Sequence, residues 1–343
     1  MGSTAGFRVA VVGVTGAAGS TVLRILEERR FPVAELIPLA SARSAGLTVD
    51  FGGRAHRIAE ATPDAVAGVD LCFLAAGGAT ARALAPVVAA AGGVAIDKSS
   101  AYRMDPEVPL VVPEVNAAAL AGHRGIVANP NCVAVPLTVA TAPLHRAFGL
   151  RRLTVSTYQA ASGGGRNLAD ELAAQQLAAA RGAEPVHAVY PHVLHGNVVP
   201  GGWTMEGDDT EEERKVAAET RRVLDLAELP ISVTTVRVPV ATGHSAAVWL
   251  EFERDAGAAE AREVLRDAPG VRLVDDAAAQ SYPTPLQAVG QDQVLVGRVR
   301  ADTGRPGAIA LFLSVDNLRK GAATNAVQVG ELVAAAMRTA AAR

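Results

Sequence analysis

The sequence is poor in cysteine and aromatics, holds no long apolar run, and shows no excess of charge of either sign. Cys72 and Cys132 are the only cysteines, which excludes a disulfide framework and a four-cysteine zinc site and makes a reducing, cytoplasmic setting the expectation. No metal is expected. No apolar stretch approaches the ~20 residues that span a bilayer, so no membrane partner is expected either. The segment Arg8-Val9-Ala10-Val11-Val12 runs straight into glycines and reads as a strand rather than a secretion signal. The formal charge is -3 and the 32 Lys and Arg residues form no long run. That argues against nucleic acid as a partner while leaving room for a local basic pocket. Aromatics make up 4% of a chain rich in alanine, a balance that suits a helix-rich α/β enzyme better than an all-β binding module.

At 343 residues the chain is too long for one ordinary core, so two domains are the natural expectation. Its 50% hydrophobic and 20% charged composition is that of a globular protein. The first half alternates short apolar runs with helical patterns, as a parallel sheet flanked by helices requires. Candidate strands are 8–12, 35–40, 70–74, 94–97 and 125–128, with helices over 21–30 and 79–90. After the Asn129-Pro130-Asn131 turn an Ala-rich helix is expected to about His145. In the second half, 153–159, 231–239, 246–253 and 308–314 read as longer strands of a mixed or antiparallel sheet. A charged helix is expected over 208–226, with acids in its first turn, and a final helix over 322–341. Residues 162–166 and 198–203 read as surface loops.

The first strand leads into Gly13-Val14-Thr15-Gly16-Ala17-Ala18-Gly19 and then a helix. Glycines there let a nucleotide pyrophosphate lie on the backbone N–H groups of a helix N-terminus. A tight turn with no ligand has the same spacing, but the position after the first strand of an alternating pattern favours the nucleotide. The second strand ends in Ser41-Ala42-Arg43-Ser44. An acid at that point would bind free ribose hydroxyls, whereas a guanidinium flanked by hydroxyls suits a 2′-phosphate, so NADP is preferred to NAD.

Cys132 lies in Asn129-Pro130-Asn131-Cys132, between a strand and an expected helix, with Pro136 in that helix's first turn. A thiolate at a helix N-terminus is stabilised by unpaired N–H groups and becomes a usable nucleophile. A lone cysteine is as often a small buried hydrophobe, the reading given to Cys72 within Leu71-Cys72-Phe73-Leu74.

Together the motifs resemble those of the aspartate-β-semialdehyde dehydrogenases over almost the whole chain. The matching stretches are the Gly13–Gly19 loop, Leu39–Ser44, Ser99–Met104, Val112–Asn116, Asn129–Cys132, Ser156–Ala160, Arg237–Val240 with Gly243-His244-Ser245, Val296–Arg298 and Asp316–Ala323. The resemblance implies a Rossmann-like NADP-binding domain over 1–130 and an α+β catalytic and dimerisation domain over 131–316. It implies a C-terminal helix, in 317–343, that returns to the first domain, and a homodimer or homotetramer. Carried over by position, Cys132 is the nucleophile, Gln159 orients the substrate and His244 is the general acid/base. Arg237 holds the substrate carboxylate, and Glu212 faces its amino group. Arg103, Lys215 and Asn131, with Lys98 beside them, hold phosphate. Gly13, Thr15, Gly16, Ala17, Ala18 and Gly19, with Ser41, Arg43, Ser44, Ser162, Gly163 and Asn325, contact the cofactor.

The chemistry implied is reduction of aspartyl phosphate, a small-molecule substrate, to an aldehyde and phosphate through a cysteine thioester. The residue types suit it: imidazole titrates near working pH, and a bidentate Arg is the usual partner of a carboxylate. Glu212 and Lys215, three apart on a helix, also fit a surface ion pair of under ~0.5 kcal/mol. The chain departs from the family pattern at Val133-Ala134, where hydroxyls usually follow the cysteine, and at Lys98, where an amide is usual. Gly201-Gly202-Trp203 replaces a polar stretch. Three alternatives therefore stay open: a specialised paralogue with a related substrate, an N-acetyl-γ-glutamyl-phosphate reductase, and a catalytically silent cofactor-binding protein.

Overall fold

The computed structural model describes residues 6–341. Residues 1–5 and 342–343, the outer ends of the expected first and last segments, lie outside the described residues. The chain divides into two compact units, one running to Pro130 and resuming at Ala322, the other Asn131–Gly321.

The first unit is built on a six-stranded sheet of β1 (Phe7–Val12), β2 (Val33–Ala40), β3 (Ala59–Glu60), β4 (Leu71–Leu74), β5 (Val94–Asp97) and β6 (Ile126–Ala128). All pairings are parallel and the order is β3-β2-β1-β4-β5-β6. That order reverses between β1 and β4, the crevice at which doubly wound sheets bind dinucleotides. β4 and β5 are buried along their whole length because helices cover both faces. Val9, Val11, Phe73 and Ile96 face α1 (Ala17–Glu28) and the C-terminal α7 (Thr324–Ala341). Ala10, Val12, Cys72 and Leu74 face α2 (Gly78–Ala90) on the other side. This two-residue alternation sends neighbouring side chains into separate cores, and each fully buried Val or Leu contributes about 1.5–3 kcal/mol. Gly330 lets α7 lie close on the sheet, since a Cβ there would sit 2.8 Å from Phe73. The C-terminal helix thus belongs to the first unit, as the resemblance implies.

The second unit holds a mixed six-stranded sheet of β7 (Leu150–Tyr158), β8 (Ile231–Thr234), β9 (His244–Phe252), β10 (Val271–Leu273), β11 (Val294–Ala301) and β12 (Ile309–Val315), ordered β8-β7-β9-β12-β11-β10. Its helices are α3 (Ala134–Phe148), α4 (Arg166–Ala180), α5 (Glu211–Leu224) and α6 (Ala258–Arg266), and α3 packs on both α5 and α6. Three acids occupy the first turn of α5, as the sequence indicates; the helix starts later than the expected 208, at Glu211, where Thr210 caps it in a reciprocal pair with Glu213.

Three expectations need correction. The strand read over 231–239 stops at Thr234. Beyond it Val236 N–H donates to the Thr157 hydroxyl, and Arg237 forms isolated bridges to Gln159 and Val199 instead of a ladder. Residues 162–166 lie at the surface as expected, with Gly163, Gly164 and Arg166 exposed, but they form a 3-10 turn entering α4 rather than an irregular loop, and Ser162 is buried. Within 198–203, Val199 is buried by its exchange of backbone hydrogen bonds with Arg237. Strand β11 and helix α4 lack a clear apolar period and are not evident from the sequence.

Candidate active site

In the first unit the candidate nucleotide site is made of backbone. Gly13 has φ +87, and a Cβ there would lie 2.8 Å from the Ala75 carbonyl oxygen. A Cβ at Gly19 would overlap the Gly13 carbonyl, so the loop closes on the first turn of α1 only if that residue is glycine. Gly16 is the N-cap and supplies no side-chain bond, no acid occupies the first turn, and Thr15 and Gly16 are exposed. Open N–H groups at the positive end of a helix fit a pyrophosphate. Ser41 precedes a short turn over Ala42–Ser44, and Arg43 is exposed, with no ion pair among the described residues. The cradle and the guanidinium together fit a nicotinamide dinucleotide.

The same unit carries Lys98, Arg103 and Asn325. Arg103 is buried and donates from Nε to Asn129 O (2.9 Å) and from Nη2 to Lys98 O (2.6 Å). Asp97, below them, is held above its ordinary pKa by burial, against bonds from the Ser99 backbone and hydroxyl and the nearby Arg103 and Lys98 charges. Asn325 is fully buried, and its amide donates to Val111 O and to Asn129 Oδ1 (2.8 Å). Its observed contacts therefore order the Asn129-Pro130 turn. Cys72 is inert by environment: burial pushes its thiol up to about 12.

In the second unit the polar residues interlock. Cys132 is partly exposed, just ahead of α3. The Asn131 side chain accepts from Val133 N–H (2.7 Å), which fixes the turn. Its amide donates to Glu212 (3.1 Å), and Gln159 Nε2 donates to the same carboxylate (3.3 Å). Glu219, two turns along α5, accepts the Asn131 N–H (2.5 Å). No motif marks Glu219; the available signal is its seven-residue spacing from Glu212 on one helix face. The contemplated Glu212–Lys215 ion pair is absent: Lys215 pairs with Glu211 (2.9 Å), and Glu212 turns inward.

Ala160, next to Gln159, joins the remaining two groups. Its N–H donates to His244 Nδ1 (3.0 Å), and its carbonyl accepts from Arg237 Nη1 (2.7 Å). His244 and Arg237 are both buried, and His244 Nε2 and Arg237 Nε have no partner among the described residues. Both side chains press on Gly163, where a Cβ would lie 2.8 Å from His244 Nε2 and 3.0 Å from Arg237 Nη1. Burial first, and then the Arg237 charge, holds His244 well below its usual pKa. The neutral ring, accepting at Nδ1, carries its proton on Nε2. Asn317 bonds the Ser162 hydroxyl and Gly243 N–H, fixing the backbone on either side of this pair.

Two family matches cover most of the chain: the semialdehyde dehydrogenase NAD-binding domain over residues 8–123 and the semialdehyde dehydrogenase dimerisation domain over 141–320. An aspartate-semialdehyde dehydrogenase from Aquifex aeolicus is 43% identical, with 96% of this chain and 98% of that protein covered. The chain belongs to the aspartate-semialdehyde dehydrogenase family. Another member, from Streptomyces akiyoshiensis, is 45% identical with 96% and 99% covered. A crystal structure of aspartate semialdehyde dehydrogenase II from Vibrio cholerae, complexed with ASA, superposes with a TM-score of 0.93. It is 40% identical, with 96% and 98% covered. As a member of this family the chain is an oxidoreductase with a nicotinamide-cofactor domain and a dimerisation domain. None of these relatives is an N-acetyl-γ-glutamyl-phosphate reductase. Among the described residues no helix is long and apolar enough to cross a membrane.

Proposed function

We propose that this chain reduces L-aspartyl 4-phosphate to aspartate 4-semialdehyde and phosphate with NADPH, through a thioester on Cys132. The observation that carries the reading is the pair of buried donors without a partner among the described residues, Arg237 Nε and His244 Nε2, both side chains anchored on the Ala160 backbone next to Gln159, whose amide meets that of Asn131 on Glu212.

Cys132 as thiolate attacks the acyl carbon; the C–S bond forms, and the C–O bond to phosphate breaks. Arg237 takes the substrate carboxylate at its open edge. Glu212 faces the amino group while holding the Gln159 and Asn131 amides. His244 presents Nε2–H to the substrate oxygen, where it stabilises negative charge and can release a proton. Gln159 orients the acyl group. Lys98, Arg103, Asn131 and Lys215 serve the phosphate, Arg103 by ordering the Lys98 and Asn129 backbone. The Gly13–Gly19 loop, with Thr15, Gly16, Ala17 and Ala18, would hold the pyrophosphate, and Ser41, Arg43 and Ser44 the 2′-phosphate. Bound there, the reduced nicotinamide would supply a hydride to the thioester carbon, and breaking of the C–S bond would release the aldehyde and return the Cys132 thiolate. Ser162 and Gly163 would contact the cofactor, and Asn325 would act through Asn129.

Residues 1–130 would form the cofactor domain, 131–316 the catalytic and dimerisation domain and 317–343 the returning C-terminal segment. We place the enzyme in the cytoplasm as a homodimer, packed through the sheet face bearing Tyr158, Trp249 and Phe312, or as a homotetramer of such pairs. The test is turnover of aspartate semialdehyde with phosphate and NADP by the purified protein. Negligible turnover beside good turnover by a homologue would overturn the substrate. Selective iodoacetamide labelling of Cys132, with protection by substrate, tests the thiolate.

A further inference from the structure

The segment that carries Gly201-Gly202-Trp203 is fastened against Arg237. Helix α4 holds the preceding chain with two largely buried side chains. The Glu171 carboxylate accepts from the N–H groups of Ala188, Val189 and Tyr190, and Gln175 accepts from those of Leu194 and His195. Tyr190, Leu194 and Val199 join Ala161, Leu168 and Leu172 in a small apolar cluster beneath. The Tyr190 hydroxyl donates to Gly201 O (2.6 Å). Gly202 has φ +82, and a Cβ there would overlap the Tyr190 hydroxyl, so the ring passes directly over it.

The result is an aromatic frame around one guanidinium. Arg237 Cζ lies 4.7 Å from the Trp203 ring centroid and 5.8 Å from that of Tyr190. Val199 exchanges both backbone hydrogen bonds with Arg237, at 2.9 and 2.8 Å, so the frame and the arginine share one register. Nη1 is committed to Ala160 O, and Nε remains without a partner. A stacked, anchored guanidinium has one orientation, and its donors then address one place.

We infer that Tyr190 and Trp203 are positioning residues that fix the Arg237 fork and thereby set the enzyme's selectivity for an aldehyde bearing an α-carboxylate. The inference rests on the reading of Arg237 as the carboxylate site. Removing the frame frees the guanidinium to rotate, which weakens recognition of the carboxylate and leaves the thiolate chemistry untouched.

The test measures kcat and KM of Trp203→Ala, Trp203→Phe and Arg237→Ala on aspartate semialdehyde and on 3-aminopropanal, the same aldehyde without its carboxylate. For Trp203→Ala the KM for aspartate semialdehyde should rise roughly tenfold, with kcat changed by less than about threefold. The KM for 3-aminopropanal should stay constant, and Trp203→Phe should restore most of the loss. Equal effects on both aldehydes, a loss confined to kcat, or no change in KM overturns the frame. If Arg237→Ala raises KM for the carboxylated substrate alone and Trp203→Ala does not, only the frame falls. If Arg237→Ala leaves the preference intact, the carboxylate reading falls and the inference with it.

Discussion

In the first unit the candidate ligand surface is made by leaving side chains out, whereas in the second it is made by locking side chains together. Gly13, Gly16 and Gly19 clear a path to backbone N–H groups at the start of α1. Its distant contacts are made by backbone alone: Gly13 and Val14 N–H donate to Leu39 O, and Gly13 lies against the Ala75 carbonyl. Around Cys132, by contrast, Asn131, Gln159, Glu212, Glu219, Arg237 and His244 each depend on a residue dozens of positions away. A site of the first kind tolerates changes around it but not at its glycines. A site of the second kind shares each loss among its members.

The largest effect should come from Cys132→Ala, which removes the nucleophile and leaves the cofactor loop alone. Turnover should fall by at least about 10⁴-fold, while NADP binding by fluorescence titration is retained. Gly19→Ala should do the reverse. The added methyl overlaps the Gly13 carbonyl, and overpacking of about 1–3 kcal/mol corresponds to a roughly 10- to 100-fold weaker NADP complex. Iodoacetamide labelling of Cys132 should be unchanged in that variant. If the glycine variant also loses its reactive thiol, the two sites are not built independently.

The same contrast explains what could be read from the sequence. The glycine loop, the strand alternation and the acidic first turn of α5 are local patterns, and local physics sets them. Cys132 ahead of α3 was legible for the same reason. Glu219 was not, because its partner, the Asn131 N–H, lies 88 positions away. Asn317, whose amide reaches Ser162 across 155 positions, carries a motif but no local sign of what it holds. The end of β8 at Thr234 has no local signal because Arg237 leaves the ladder to bridge Val199, a pairing that apolar alternation cannot foretell.

Arg43 sharpens the comparison from the first unit's side, as an exposed charge with no ion pair among the described residues to share its loss. Arg43→Ser should lower the preference for NADP over NAD by about 10- to 100-fold, the loss of charge-assisted hydrogen bonds worth about 1.5–3 kcal/mol. Steady-state KM values for both dinucleotides check this, and an unchanged ratio would move the 2′-phosphate contact elsewhere.

His244 sharpens it from the other side, through pH. Burial and the Arg237 charge hold the imidazole well below 6.5. The free enzyme should therefore keep a neutral His244 through that pH, with the acid limb of kcat/KM lying lower. A bound substrate carboxylate offsets the Arg237 charge, so the acid limb of kcat should lie at higher pH than that of kcat/KM. Folding has a matching sign. As pH falls through 6.5 the unfolded imidazole takes up a proton that the folded one refuses, and stability declines. His244→Gln should flatten that part of the stability profile.

The smallest effect belongs to Glu171, which supports the second unit's site at one remove. Burial alone would raise its pKa, but the N–H groups of Val189, Ala188 and Tyr190 outweigh it and leave the carboxyl below 4.5. A carboxylate depressed on folding stabilises the protein above its unfolded pKa, and that contribution disappears as pH falls through the folded value. Glu171→Gln should thus lower Tm by roughly 2–4 °C at neutral pH. The gap from the parent protein should close once the pH is well below 4.5. A gap that stays constant at acid pH would mean that the amide fails by shape and not by charge. The segment over Arg237 would then be held by the apolar contacts of Tyr190, Leu194 and Val199 with α4 rather than by the carboxylate.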